Sequence, residues 1–248
     1  MALLKHTAHR PWPLPPDPWI MKQVWHDLLF AHWPVSVAAL RPLIPEALTI
    51  DTFEGQAWLG VVPFRMSGVR PRGALPVPGF SEFPELNVRT YVVRNGKPGV
   101  WFFSLDAASW LAVWGARWGF HLPYFHARMS CEEKGGWIQY QNTRNHKGAT
   151  PASLKGNYRP VGEVFNARSG TLEHFLTERY CLYTTDNHGS MIRCDIHHLP
   201  WPLQNAEASF HVNTMAAAAS IRISESDPPL LHFARVQEVV VWLPERLK

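Results

Sequence analysis

Cysteine is scarce: Cys131, Cys181 and Cys194 are the three in 248 residues. An odd number without CxxC spacing argues against a disulfide framework or a thiolate zinc site, and for reduced thiols. Charge is thin as well. Asp, Glu, Lys and Arg make up 18% of the chain, and the net charge of +4 comes from residues scattered singly rather than in runs. Without a basic stripe, nucleic-acid binding is not expected. No apolar run approaches the roughly 18 residues of a spanning helix, so no membrane partner is expected. Pro11, Pro13, Pro15, Pro16 and Pro18 stand where a secretory signal would need its apolar stretch. The expected location is cytoplasmic. HExxH, GxSxG, a Walker loop and GxGxxG are also missing, and with them the usual grounds for a metal or a nucleotide cofactor. None is expected.

What the chain has in quantity is large apolar side chains. Hydrophobic residues reach 46%, including 12 Trp and 13 Phe, which rules out disorder for the bulk of the sequence. Residues 1–20 read as a Pro-rich arm laid over the body by Trp12 and Trp19, and 21–248 as one domain. "VSVAALRPLI" is helix-like from a cap at Ser36, kept short by Pro42 and Pro45. "AWLGVVPFRMSGV" reads as a strand, with Pro63 suggesting a bulge or an edge, and 70–80 as a Pro/Gly loop. "ELNVRTYVV" and "GVWFFSL" are strands joined by a tight turn through Asn95-Gly96. After them Asp106 could cap a helix whose apolar positions Ala107, Trp110, Leu111, Trp114 and Trp118 follow three-four spacing, with Gly119 as its stop. Short strands follow around 124–132, 136–143 and 157–165. A helix in "TLEHFLTE" and four strands ending in "VQEVVVWL" complete the chain. The fold class is α+β: predominantly antiparallel β, a closed barrel or coiled sheet with a few short helices.

One strand has a polar face. Side chains alternate, so Glu85, Asn87 and Arg89 share one side while Leu86, Val88 and Thr90 take the other. That row fits a solvated face with one diagonal ion pair. It also fits a holder for an anionic or carbonyl-bearing ligand, because Arg presents a planar fork to carboxylates. Thirteen histidines are present, but adjacent His197 and His198 point to opposite strand faces and cannot both meet one metal directly. Surface clusters among Trp12, Trp19, Trp25 and Trp33 would mark a homo-oligomer or partner interface.

"WHDLLFAHWPV", "ELNVRTYV", "GVWFFSLDA", "LPYFHARM", "ERYCLYT" and "HHLPWPLQNAE", with the stretch from Ala39 to Met66, lie in one order over residues 18–245. Together they resemble the YqjF-like proteins of the acetoacetate decarboxylase-like superfamily. The resemblance implies a closed barrel or cone. In acetoacetate decarboxylases a lysine forms a Schiff base with the substrate ketone. Aligning on Arg117 and Pro123 puts Tyr124 at that lysine's position, Phe125 at the second lysine, and Glu85 at the position of a functional acid. A Schiff base needs a primary amine, which neither Tyr124 nor Phe125 supplies. The resemblance therefore implies small-molecule binding at Glu85, Asn87, Arg89, Arg117, Tyr124 and His198, without amine catalysis. An alternative keeps chemistry: Glu85 and Tyr124 move protons on a small oxo-acid, as a lyase, isomerase or hydratase would.

Overall fold

The computed structural model describes residues 2–77, 81–224 and 227–247. In chain order the elements are β1 (Met21–Val35), α1 (Val37–Leu40), β2 (Thr49–Ile50), β3 (Ala57–Pro71), β4 (Phe83–Arg94) and β5 (Lys97–Ala107). Next come α2 (Trp110–Gly119), β6 (Tyr124–Lys134), β7 (Trp137–Arg144), β8 (Ser153–Phe165), α3 (Leu172–Thr177), β9 (Cys181–Thr185) and β10 (Met191–His197). The chain ends with β11 (Leu203–Asn213), α4 (Met215–Ala218), β12 (Leu230–Val241) and β13 (Glu245–Arg246).

Local chemistry explains most boundaries. Asn95 and Gly96 both take positive φ, the pair of left-handed residues that a two-residue hairpin turn needs between β4 and β5. Ser36 caps α1 through its side chain, and Thr171 caps α3. The expected loop over 70–80 starts after Pro71, and residues 78–80 lie outside the described residues. Sequence pattern did not reveal β1. Its run Leu28–Ala31 is buried without alternation, and Asp27 has φ 52° at an irregularity where four β1 residues face three of β3. That bulge lies opposite Pro63 on the β1 side, while Pro63 stays in register with Leu86 of β4, so Pro63 sits beside a bulge inside a central strand and not at an edge.

Among the described residues, thirteen strands join in one sheet that closes on itself. β12, β1, β3, β4 and β5 lie side by side, and the sheet then forks. The first half of β5 pairs in parallel with β9, which leads through β10 back to the end of β12. The second half of β5 pairs in parallel with β6, which leads through β7, β8 and β11 to the start of β12. Two closed circuits, one of seven strands and one of nine, thus share five strands.

The helix after β5 departs from expectation. Asp106 belongs to β5, and the cap is Ser109, whose Oγ accepts from the Ala112 N–H at 3.3 Å. Trp110, Leu111, Trp114 and Trp118 face outward at 60–76% exposure. The inward face is built from small residues, Ala112, Val113 and Ala116. By contrast Trp33 is buried, and Trp12, Trp19 and Trp25 are half-buried. The N-terminal arm lies against β10 and β12. Trp12 donates to Asp195 at 3.0 Å, Arg10 donates to the Ile196 carbonyl at 2.6 Å, and Trp19 packs with Leu3 and Trp242.

Candidate functional site

The two faces of β4 serve different interiors. Leu86, Val88 and Val92 pack into the main core beside Tyr140 and Tyr158 of β7 and β8. Glu85, Asn87 and Arg89, all at or below 9% exposure, line a cavity of about 310 Å³. The row is therefore buried, and the solvated reading of it falls. The strand lining comes from β1, β3, β4, β5, β9, β10 and β12, the seven of the shorter circuit, with only Tyr124 from β6. α2 covers one side, and because exposed Leu111 is part of the lining, the cavity reaches the surface beside that helix. Its walls are mostly apolar, among them Phe64, Phe83, Phe102 and Trp201. Among the described residues no lysine lines it.

At the end under α2, the Tyr124 hydroxyl donates to Glu85 Oε2 at 2.7 Å. Glu85 is pushed up to about 8, because burial penalises its charged form more than the Tyr124 hydrogen bond favours it; the Asp106 carboxylate adds to the rise. Glu85 thus carries a proton near neutral pH. Tyr124 is pushed well above the usual phenol range by burial and by Glu85. Asp106 is braced from behind by Arg144 Nε at 2.9 Å and Asn142 Nδ2 at 2.8 Å. Arg117, expected among the binding residues, does not line the cavity. It is exposed at the end of α2 and donates to the Tyr124 backbone carbonyl at 2.7 Å, so it pins the start of β6 from outside.

Four residues along β4, the chemistry changes. The Arg89 guanidinium lies 5.2 Å from the Phe30 ring centre and 5.9 Å from that of Tyr91. Tyr91 is fixed by donating to the Leu176 carbonyl at 2.7 Å, with His32 Nε2 at 2.5 Å from its oxygen. Burial holds His32 well below the usual imidazole range, so His32 is neutral and its Nε2–H donates to Tyr91. Arg179 also reaches this end, 4.8 Å from the Tyr91 ring, but Asp51 neutralises it at 2.6 Å. Among the described residues no carboxylate within 4.0 Å pairs with Arg89. Its Nε, the Trp201 indole Nε1 and Asn87 Oδ1 are buried without a hydrogen-bond partner. His198 lines the same cavity, with ring nitrogens 2.7 Å and 3.2 Å from the Leu199 and Arg179 carbonyl oxygens. Burial lowers its pKa against those contacts, so it forms a neutral wall stacked 4.7 Å from Tyr180.

Five of the six residues singled out from the sequence, Glu85, Asn87, Arg89, Tyr124 and His198, meet in this cavity. Glu85 and Arg89 do not form the diagonal ion pair that their spacing allowed: Tyr124 and Asp106 are the groups acting on the Glu85 carboxyl. Sequence reasoning missed Arg179, Thr177 and Trp201. Arg179 and Trp201 lie inside stretches already quoted, just before β9 and just after the two histidines, but nothing local marks them as facing inward. Cys181 and Cys194 also line the cavity; burial pushes Cys181 up to about 12 and raises Cys194 as well, so both are protonated thiols. Among the described residues, no cluster of three or more His, Cys, Asp or Glu could hold a metal, and no helix is long and apolar enough to cross a membrane.

Residues 22–238 match the DUF2071 family, described as uncharacterized conserved proteins. The chain belongs to that family. It is 50% identical over 229 residues to the uncharacterized protein YqjF of Bacillus subtilis, covering 92% of this chain and 93% of YqjF. In three dimensions it is similar to acetoacetate decarboxylase from Legionella pneumophila. That likeness has a TM-score of 0.63 at 11% identity, over 97% of this chain and 93% of the other. The enduracididine biosynthesis enzyme MppR, solved with pyruvate, gives a TM-score of 0.62 at 11% identity, over 96% and 93%. At such identities these two likenesses establish the acetoacetate decarboxylase-like fold of this DUF2071 member, and no more.

Proposed function

We propose that this protein binds a small carboxylate- or carbonyl-bearing molecule in the seven-strand cavity without forming a covalent bond to it. The observation that carries the reading is Arg89: a buried guanidinium facing a cavity, with no carboxylate partner and with its Nε unsatisfied. A buried, uncompensated cation is costly, and an anionic ligand removes the cost. MppR, of the same fold, is complexed with pyruvate, an oxo-carboxylate. The reading leaves out a Schiff base. The position that the family resemblance assigns to the reactive lysine is Tyr124, and among the described residues no lysine lines the cavity.

A thermal-shift screen of small carboxylates and oxo-acids tests this. Stabilisation that disappears in Arg89→Gln is expected, and a library without a single stabilising carboxylate sinks the proposal. Borohydride treatment in the presence of acetoacetate is expected to leave the protein mass unchanged; a covalent adduct on any lysine would reverse the noncovalent part. One observation favours a second reading, proton transfer: a carboxyl titrating at about 8 and hydrogen-bonded to a phenol is suited to moving protons near neutral pH. NMR of any stabilising ligand in deuterated buffer decides between them. Exchange or conversion that is lost in Glu85→Gln supports turnover, and an unchanged ligand supports binding alone.

A further inference from the structure

The polar groups of the cavity are sorted to two ends. At one, Tyr124 and protonated Glu85 offer neutral hydrogen bonds beneath α2. At the other, Arg89 and Trp201, each with an N–H that has no partner, both pack on Phe30: the Arg89 Cζ lies 5.2 Å and the Trp201 ring centre 4.9 Å from the centre of that ring. Glu85 and Arg89 are four residues apart along β4, whose pairing with β5 shifts by one residue between Val88 and Arg89; at about 3.4 Å per residue their Cα atoms are at most roughly 13 Å apart. The Arg89 side chain leans towards Tyr91, one step further from Glu85, and does not act on the Glu85 carboxyl. Besides these groups and Arg179, the lining holds the polar side chains Gln23, Asn87, Thr177 and His198 and two thiols; the rest of it is apolar and aromatic.

Building on the binding reading above, we infer that the ligand is an elongated monocarboxylate. Its carboxylate is held by Arg89 and Trp201, its aryl or alkyl body packs against the apolar lining, and a neutral hydroxyl or carbonyl at its far end meets Glu85 and Tyr124. The charge inventory of the lining points to a single negative charge. Arg179 is neutralised by Asp51, His198 and the two thiols are uncharged, and Arg89 remains as one uncompensated cation. A second carboxylate would be buried against Glu85 and Tyr124 with no cation beside it, which is costly. A four-carbon oxo-acid is too short to engage both ends at once.

Calorimetric titration of the full chain with four probes tests this: 3-(4-hydroxyphenyl)propanoate, 3-phenylpropanoate, 3-(4-carboxyphenyl)propanoate and acetoacetate. The hydroxyphenyl acid is expected to bind tightest, the phenyl acid about 5- to 10-fold weaker, and the dicarboxylate and acetoacetate at least about 30-fold weaker. Tyr124→Phe is expected to cost the hydroxyphenyl acid most of its advantage and to leave the phenyl acid unchanged. Acetoacetate binding as tightly as the aryl acids, or the dicarboxylate binding as tightly as the hydroxyphenyl acid, overturns the elongated monoanion while leaving carboxylate binding intact. Failure of all four probes overturns the elongated monoanion, and the carboxylate screen above then decides the binding reading on its own. The comparison among ligands is made on the natural sequence and does not depend on any variant folding.

Discussion

Glu85 keeps its proton where a solvent-exposed glutamate has lost it. Its pKa rises from 4.5 in the unfolded chain to about 8 in the fold. The stability it contributes is therefore fully present below about pH 4.5 and is lost as pH rises through about 8, since over that window the unfolded chain releases a proton that the native state retains. Glu85→Gln keeps an acceptor for the Tyr124 hydroxyl and removes the titration. Urea unfolding from about pH 5 to about pH 8 should find the variant gaining on the natural protein by on the order of 1 kcal/mol per pH unit, then levelling off above. A pH-independent difference would mean that Glu85 is ionised in the fold. The alternation of Glu85, Asn87 and Arg89 was legible in the sequence, because a strand has only two faces. The direction in which Arg89 leans was not. It depends on Tyr91, which is held by His32 from β1 and the Leu176 carbonyl from α3, at sequence separations of 59 and 85 residues.

Among the elements, α2 is where sequence pattern misled. Its tryptophans recur at helical spacing, and apolar spacing normally marks the buried face. Here the helix roofs a cavity, and the face towards it holds Ala112, Gly115 and Ala116, small enough to leave the space open, with exposed Leu111 where the cavity meets the surface. Two substitutions separate the faces. Trp114→Gln should change stability by no more than about 0.5 kcal/mol, although tryptophan in a core costs several. Gly115→Ala should stabilise by about 0.5–1 kcal/mol from helix propensity, because a Cβ there meets nothing within 4 Å. Chemical denaturation of both variants checks this, and a loss above about 2 kcal/mol for Trp114→Gln would put that face against protein. β1 was hidden for a different reason. A fifteen-residue strand buried on both sides over its central run and interrupted by a left-handed Asp27 has neither the period of a half-exposed strand nor that of a helix.

At the scale of the whole molecule, the shorter circuit creates the cavity, and two of its seams are short, the parallel contact between β5 and β9 and the antiparallel one between β10 and β12. Two register pairs, Val100–Leu182 and Trp101–Tyr183, make the first, against ten between β4 and β5. Strand content and hairpin order were readable from alternating apolar residues and turn glycines. The fork was not, since both its prongs are parallel pairs that no turn announces, and the one to β9 joins segments about eighty residues apart. Gly99 stands at the β5–β9 seam because nothing larger fits. An added Cβ would lie 2.7 Å from the Tyr183 ring, 2.8 Å from Cys181 Sγ and 2.9 Å from the Cys181 carbonyl oxygen. The backbone oxygen cannot swing aside as a side chain could, so Gly99→Ala must push β9 away from β5. The expected cost is about 2–3 kcal/mol, seen as a melting temperature lowered by about 5–10 °C. Because Cys181, Leu182 and Arg179 line the cavity from the displaced side, any carboxylate that stabilises the natural protein should stabilise this variant less. A Gly99→Ala protein that melts and binds like its parent would mean that β9 is free to shift without consequence, and that the seven-strand circuit does not shape the cavity.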